Sequence, residues 1–186
     1  MTDKPRRRNN SRGAILDAAQ RVAVNKGANK VSLDSVAKEA GLTKGGVLYN
    51  FSGKDALMTA LLERLVDTYK PLVETRREEL AGEKNATLRS VIQVIQQLQQ
   101  LDHNIPMAIL AAGAENLDLL QPLRAEMARR QQQIRDEAED PDQASLIWAA
   151  GEGMMLMDML GLLPFDEEKR QQLFQRLDEA AEGVRP

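Results

Sequence analysis

Apolar positions recur along this chain at helical spacing, and no segment shows the strict alternation of a half-buried strand. Over residues 11–26, Ile15, Ala18, Ala19, Val22 and Ala23 follow the i, i+3, i+4, i+7, i+8 pattern of one helix face, and Gly27 ends the run. Ser32 suits an N-cap for a second short helix, with Asp34 in its first turn and Leu33, Val36, Ala37 and Ala40 as its apolar side. After a turn at Gly41 and Leu42, Thr43 can cap a third helix, for which Val47, Leu48 and Phe51 are the expected core residues. Ser52 to Asp55 reads as a capping-box-like start for a long fourth helix running toward Leu80, with Pro71 expected to kink or divide it.

The pattern continues to the C-terminal end. Residues 85–101 predict helix five, with Leu88, Val91, Ile92 and Ile95 on one face and Gln96, Gln97, Gln99 and Gln100 as a solvated face. Two more helices are expected over 105–114 and 117–138, broken near Glu115-Asn116 and bent at Pro122. A final pair covers about 142–162 and 166–183, with Pro141 at a helix start and Pro164 between them. The expected fold is all-α with about nine helices, three small ones followed by a larger bundle. The expected organisation is a basic flexible arm at 1–10, a helix-turn-helix head at 11–53 and a ligand-binding and dimerisation body at 54–186.

Composition sharpens this picture. Aromatics are 3% of the chain against 42% apolar residues in all, so Leu, Met and Ala build the core and helices are favoured over sheets. With no cysteine, thiolate nucleophiles, thiolate metal sites and disulfides drop out; with His103 as the one histidine, so does a His-based metal site. No cofactor, metal or catalytic residue is therefore expected, although a site built only of Asp and Glu stays open. No apolar run reaches the roughly 20 residues of a membrane span, and no signal peptide is visible, so the expected location is the cytoplasm.

Charge is distributed unevenly. Residues 1–54 hold 11 Lys and Arg against 4 Asp and Glu, whereas the remainder holds 14 against 24. A head of +7 on a body of −10 suits a polyanion-binding module attached to a part with another task. Its focus is "AGLTKGGVLYNFSGKDAL", residues 40–57, where Gly45 and Gly46 open a short helix although glycine costs a helix about 1 kcal/mol relative to alanine. Glycine lets a backbone approach DNA closely, and a helix N-terminus offers N–H groups to a phosphate. Lys44 can bond guanine or neutralise a phosphate, Asn50 can pair with adenine, and Tyr49 can bond phosphate or pack on a thymine methyl. Arg6 to Arg8 are either a solvated tail or a contact to the minor groove or phosphates.

The succession "VSLDSVAKEAGL", "TKGGVLYNF" and "SGKDAL" resembles the DNA-binding domain of the tetracycline-repressor (TetR/AcrR) family of bacterial transcription regulators, over about Arg12 to Leu62. The resemblance implies that Ser32 and Thr43 cap helices and contact phosphates. It further implies that Lys44, Gly45 and Gly46 begin the recognition helix and that Lys54 holds the DNA backbone. Leu48 stands where the family most often has Tyr, with Tyr49 and Asn50 following.

The body is read from the same resemblance, which implies a homodimer through the last two helices, about 142–183, and a small-molecule effector. The stripe Leu146, Ala150, Gly153 and Met157 is small enough to admit a partner helix. A second stripe, Trp148, Glu152, Met155 and Met159, is either core or the lining of a pocket for a hydrophobic effector, with Glu152 favouring a cation. Asp158 is a further acidic candidate on another face. The expected function is a ligand-responsive repressor on a palindromic DNA operator. Its alternatives are a helical protein-interaction module that does not bind DNA, or an activator of the same fold.

Overall fold

A computed structural model describes residues 4–98 and 104–183, with side chains from Ser11 onward except that of Ala28. Among the described residues are nine α-helices and two short 3-10 turns, and no strand. Gln99, Gln100, Leu101 and His103, assigned above to a solvated face, a helix end and an isolated histidine, lie outside the described residues. Contacts divide the chain into two units, Met1–Val66 with Asp102–Arg124, and Asp67–Leu101 with Ala125–Pro186.

The first unit holds α1 (Lys4–Lys26), α2 (Leu33–Glu39), α3 (Lys44–Asn50) and the first part of α4 (Lys54–Glu79). It also holds α6 (Asn104–Glu115) and the 3-10 turn Leu117–Leu120. Helix α1 begins at Lys4 rather than at residue 11, so the expected arm is helical from there. Lys and Arg are good helix formers, and Pro5 falls in the first turn, where its missing N–H has no intrahelical partner to lose. The side chains of Arg6, Arg7 and Arg8 lie outside the described residues.

Ile15, Ala18, Ala19, Val22 and Ala23 of α1 are buried as their spacing requires, packed with Val36, Ala37, Val47, Phe51, Leu57 and Leu61. Ala108, Ile109 and Ala112 of α6 and Leu119 complete this core. Caps fix the short helices: the Ser32 hydroxyl accepts from the Ser35 amide at 3.1 Å, and the Ser35 hydroxyl accepts from the Ser32 amide at 2.9 Å. Gly41, at φ 65°, turns the chain between α2 and α3 in a conformation that residues with a Cβ avoid. Ser52 provides no cap for α4 in this arrangement, and the helix starts at Lys54. Pro71 lies inside α4 without dividing it, because burial of Leu57, Leu61 and Leu62 on one side and Val73 on the other outweighs the lost hydrogen bond.

In the second unit α5 (Ala86–Leu98) is the central helix, with Leu88, Val91, Ile92, Val94 and Ile95 buried. Around it lie α7 (Gln121–Glu137) from Ala125 onward, α8 (Pro141–Met159) and α9 (Glu167–Ala181). Pro141 opens α8 behind an Asp140 cap, as expected. Gly151 lets α8 approach α5 closely, since a Cβ there would stand 2.6 Å from the Ile92 Cδ1.

Polar bonds fasten the N-terminal end of α5. At its start, the Glu137 carboxylate accepts from the Thr87 amide at 2.8 Å and the Thr87 hydroxyl at 2.7 Å, and pairs with Arg77. Burial works to raise the Glu137 pKa, but the Thr87 bonds and Arg77 outweigh it and hold it below the usual carboxylate range. Arg89, nearly enclosed, bonds both oxygens of Asp178 at 3.1 and 3.2 Å, pairs with Glu182 at 2.5 Å and also pairs with Glu83. The Asn85 amide donates to the Ala181 carbonyl at 2.6 Å, so the C-terminal end of α9 is tied to the α5 region at several points.

Candidate DNA interface and effector site

Helix α3 is anchored from beneath by Val47 and Phe51, both buried. The Thr43 hydroxyl accepts from the Gly46 amide at 3.1 Å, which fixes the helix start and spends that N–H inside the protein. Lys44, Gly45 and Tyr49 are exposed, Tyr49 to 72%, and Gly46 is partly so. Neither glycine answers an internal demand. A Cβ at Gly45 would meet nothing nearer than the Thr43 Oγ1 at 3.8 Å, and one at Gly46 would meet that atom at 3.5 Å. Neither residue has a positive φ.

Two residues are placed otherwise than the sequence reading has them. Leu48, expected in the core, is 41% exposed, because a helix of seven residues anchored by Val47 and Phe51 has room for no third inward position. Asn50, expected to be available to a base, is committed to the fold. Its Nδ2 donates to the Gly46 carbonyl at 3.0 Å and its Oδ1 accepts from the Ser11 hydroxyl at 3.1 Å. The Arg12 guanidinium, 4.4 Å from the Phe51 ring centroid, donates to the Asn50 carbonyl, so α1 grips the end of α3. Lys44, in turn, pairs with Asp34 at 3.0 Å on the surface. Ser32 is half-buried with its hydroxyl engaged by Ser35, whereas Lys54 at the start of α4 is exposed.

In the second unit the candidate effector stripe is partly assembled. Trp148 and Met155 pack against the core cluster, and the Trp148 indole N–H donates to Glu152 Oε1 at 3.2 Å. Met159 is half-buried on the same helix. Burial raises the Glu152 pKa; the Trp148 bond and the nearby Arg130 charge pull it down by less. Asp158 faces elsewhere and pairs with Arg170 of α9. Two grooves of about 450 Å³ each, one lined by Gln93, Gln172 and Asp178 and the other by Gln20, Arg21 and Val24, contain none of the four stripe residues.

The charge environment of Glu152 was not evident from the stripe alone. Arg130 of α7 is buried, bonds Glu126 at 2.8 Å and pairs with Glu74 of α4 at 3.4 Å; Arg129 joins the same two carboxylates. Burial works to raise the Glu126 pKa, but the bonds and charges of Arg129 and Arg130 outweigh it and lower it. The sequence signal was "EMARR", which sets Glu126 one helical turn before both arginines.

These features define an all-α protein with a helix-turn-helix head and a helical body. Two family profiles match it: "Bacterial regulatory proteins, tetR family" over residues 15–61, and "Tetracyclin repressor-like, C-terminal domain" over residues 85–182. The chain belongs to the tetR family of bacterial regulatory proteins.

Among curated relatives, the HTH-type transcriptional regulator TtgR of Pseudomonas putida is 32% identical over 69 residues, 37% of this chain and 33% of its own. SrpR of Pseudomonas putida is 40% identical over 52 residues, 28% of this chain and 24% of its own. The chain thus matches about a third or less of the length of these relatives. Solved structures extend the likeness. The multidrug binding protein EbrR in complex with imidazole superposes with a TM-score of 0.68 at 27% identity, covering 89% of this chain and 93% of that one. A TetR-family member from Streptomyces coelicolor gives a TM-score of 0.69 at 27% identity, over 90% and 97%. Among the described residues no helix is long and apolar enough to cross a membrane.

Proposed function

We propose that this protein is a homodimeric, ligand-responsive DNA-binding regulator, a repressor released from a palindromic operator by a small hydrophobic cation. The observation that carries the DNA-binding part is the Gly45-Gly46 pair: two exposed or half-exposed helix positions keep glycine although nothing inside the molecule needs it. A surface that must meet another backbone closely explains that choice, and the +7 charge of residues 1–54 selects a polyanion. Within this reading residues 11–53 form the DNA-binding part and 54–186 the effector and dimer part, with residues 1–10 as a basic arm. Thr43, Lys44, Gly45, Gly46, Tyr49 and Lys54 meet DNA, Ser32 contacts phosphate, and Asn50 acts chiefly by holding α3.

Binding to a duplex from the protein's own promoter region, followed by fluorescence anisotropy across a salt series, tests this directly. Affinity should fall linearly on a log–log plot against salt; no binding at low salt, with or without candidate ligands, refutes it. Asp34→Asn releases Lys44 from its surface pair. It is expected to tighten binding about two- to fivefold at low salt and to steepen the salt slope by about one or less, read by the same titration.

Support for a two-fold dimer comes from α8, whose outward positions Leu146, Ala150 and Met157 are exposed and apolar, and where a Cβ at Gly153 would meet nothing within 4 Å. Support for a cationic effector comes from Glu152 beside Trp148. It also comes from the solved structures of the multidrug binding protein EbrR complexed with ethidium, proflavin and malachite green, all organic cations. An effector bound in the body is expected to act through α4, which runs from the head-side residues into the body.

Glu152→Gln tests the charge role. Because burial raises the Glu152 pKa in the folded state, ionising it costs stability as pH rises from the ordinary carboxylate value through the raised one. The variant should therefore melt roughly 2 °C higher than wild type at neutral pH and no higher below pH ~4. By calorimetry it should lose affinity for organic cations and keep it for neutral hydrophobes; unchanged affinity for every cation removes the charge role.

A further inference from the structure

We propose that Leu48 reads the C5 methyl group of a thymine in the operator, so that an apolar contact from α3 sets part of this chain's sequence preference. The inference rests on the DNA-binding reading above and gives it a particular base chemistry. Leu48 is 41% exposed while its neighbour Val47 is fully buried, so it is turned outward on the same face as Gly45 and Tyr49. Helical side chains lean toward the N-terminus, which sets Leu48 over the turn containing Lys44 and Gly45, where the missing Cβ leaves its approach open. Isolated surface leucines are common, but this one stands on the exposed side of a helix whose other face is locked into the core by Val47 and Phe51.

Two of the polar alternatives on the helix, Asn50 and Lys44, are already engaged. The Asn50 amide is used at both ends, by the Gly46 carbonyl and the Ser11 hydroxyl, and cannot form the two-bond contact to adenine without leaving both. Lys44 reaches DNA as a point charge once released from Asp34. In the major groove the thymine C5 methyl is the apolar group that protrudes from a base edge, whereas a leucine pressed against the N7, O6, N6, O4 or N4 positions leaves polar groups unpaired. The occupant that matches Leu48 is therefore that methyl group.

The experiment uses the full chain and a duplex selected by it from a random pool. Each thymine of a half-site is replaced in turn by deoxyuridine, which removes only the methyl group, and affinity is read by fluorescence anisotropy at fixed salt. One position per half-site is expected to lose about fourfold for each methyl removed. Leu48→Ala, with its melting temperature checked on the same preparation, should lose a similar factor on the thymine duplex and show no further loss with deoxyuridine at that position. Leu48→Met should retain the sensitivity. If the chain binds the duplex but no deoxyuridine weakens it, or if the losses from deoxyuridine and Leu48→Ala multiply, the thymine contact is overturned while DNA binding stands. If no duplex is selected or bound at low salt, both fall.

Discussion

Alanine at Gly45 and Gly46 is expected to make this protein more stable and worse at holding DNA. Each glycine sits in the first turn of α3 with ordinary backbone angles, and a methyl group at either meets no atom closer than 3.5 Å. Alanine therefore removes unfolded-state freedom without a clash, for a gain of about 0.5 kcal/mol or more per site. The same methyl groups stand where the DNA backbone or a base edge must come close, and a lost close approach is expected to cost at least about tenfold in affinity. Thermal melting and anisotropy on one preparation separate the two effects. A double variant that melts higher and binds DNA as tightly as wild type removes the argument from the glycines.

Arg89→Ala is expected to be the most damaging single truncation in the body. Arg89 is buried and compensates Asp178, Glu182 and Glu83 together. Its removal leaves partly buried carboxylates facing one another, for which a loss of about 3–5 kcal/mol is expected. In a chain of this size that is about 10 °C in melting temperature. Combining Arg89→Met with Asp178→Asn should recover part of the loss; equal melting temperatures for Arg89→Ala and wild type at neutral pH contradict this role.

The helices and their caps were legible because their causes are local. Ser32, Thr43, Gly41 and Pro141 each act within a turn of their own position, and the α1 and α5 faces repeat for long enough that period alone identifies the buried side. Leu48 was not legible for the same reason reversed: over seven residues two turns fit either Val47 or Leu48 inward, and packing against neighbouring helices decides. Asn50 carries an amide equally suited to a base or to its own helix, and the choice depends on Ser11, 39 residues earlier. Arg130 is buried beside Glu126, one turn earlier in its own helix, and Glu74, 56 residues before it, and only the first of these partners is visible in the local sequence. The family resemblance located the head closely because its cues are adjacent in sequence. The candidate effector stripe rests on one helix face, and what surrounds it, Arg130 included, comes from other helices.

The alternation of the chain between its two units bears on its synthesis. The head is missing Ile109 and Leu119 from its core until those residues have left the ribosome, well after α1 to α3 have emerged. The body waits longer still, because Arg89 meets Asp178 and Glu182 only when the chain is all but finished. A transcript truncated shortly before those codons therefore yields a polypeptide that contains the entire helix-turn-helix but has a body with an open seam, a substrate for proteolysis before it is a regulator.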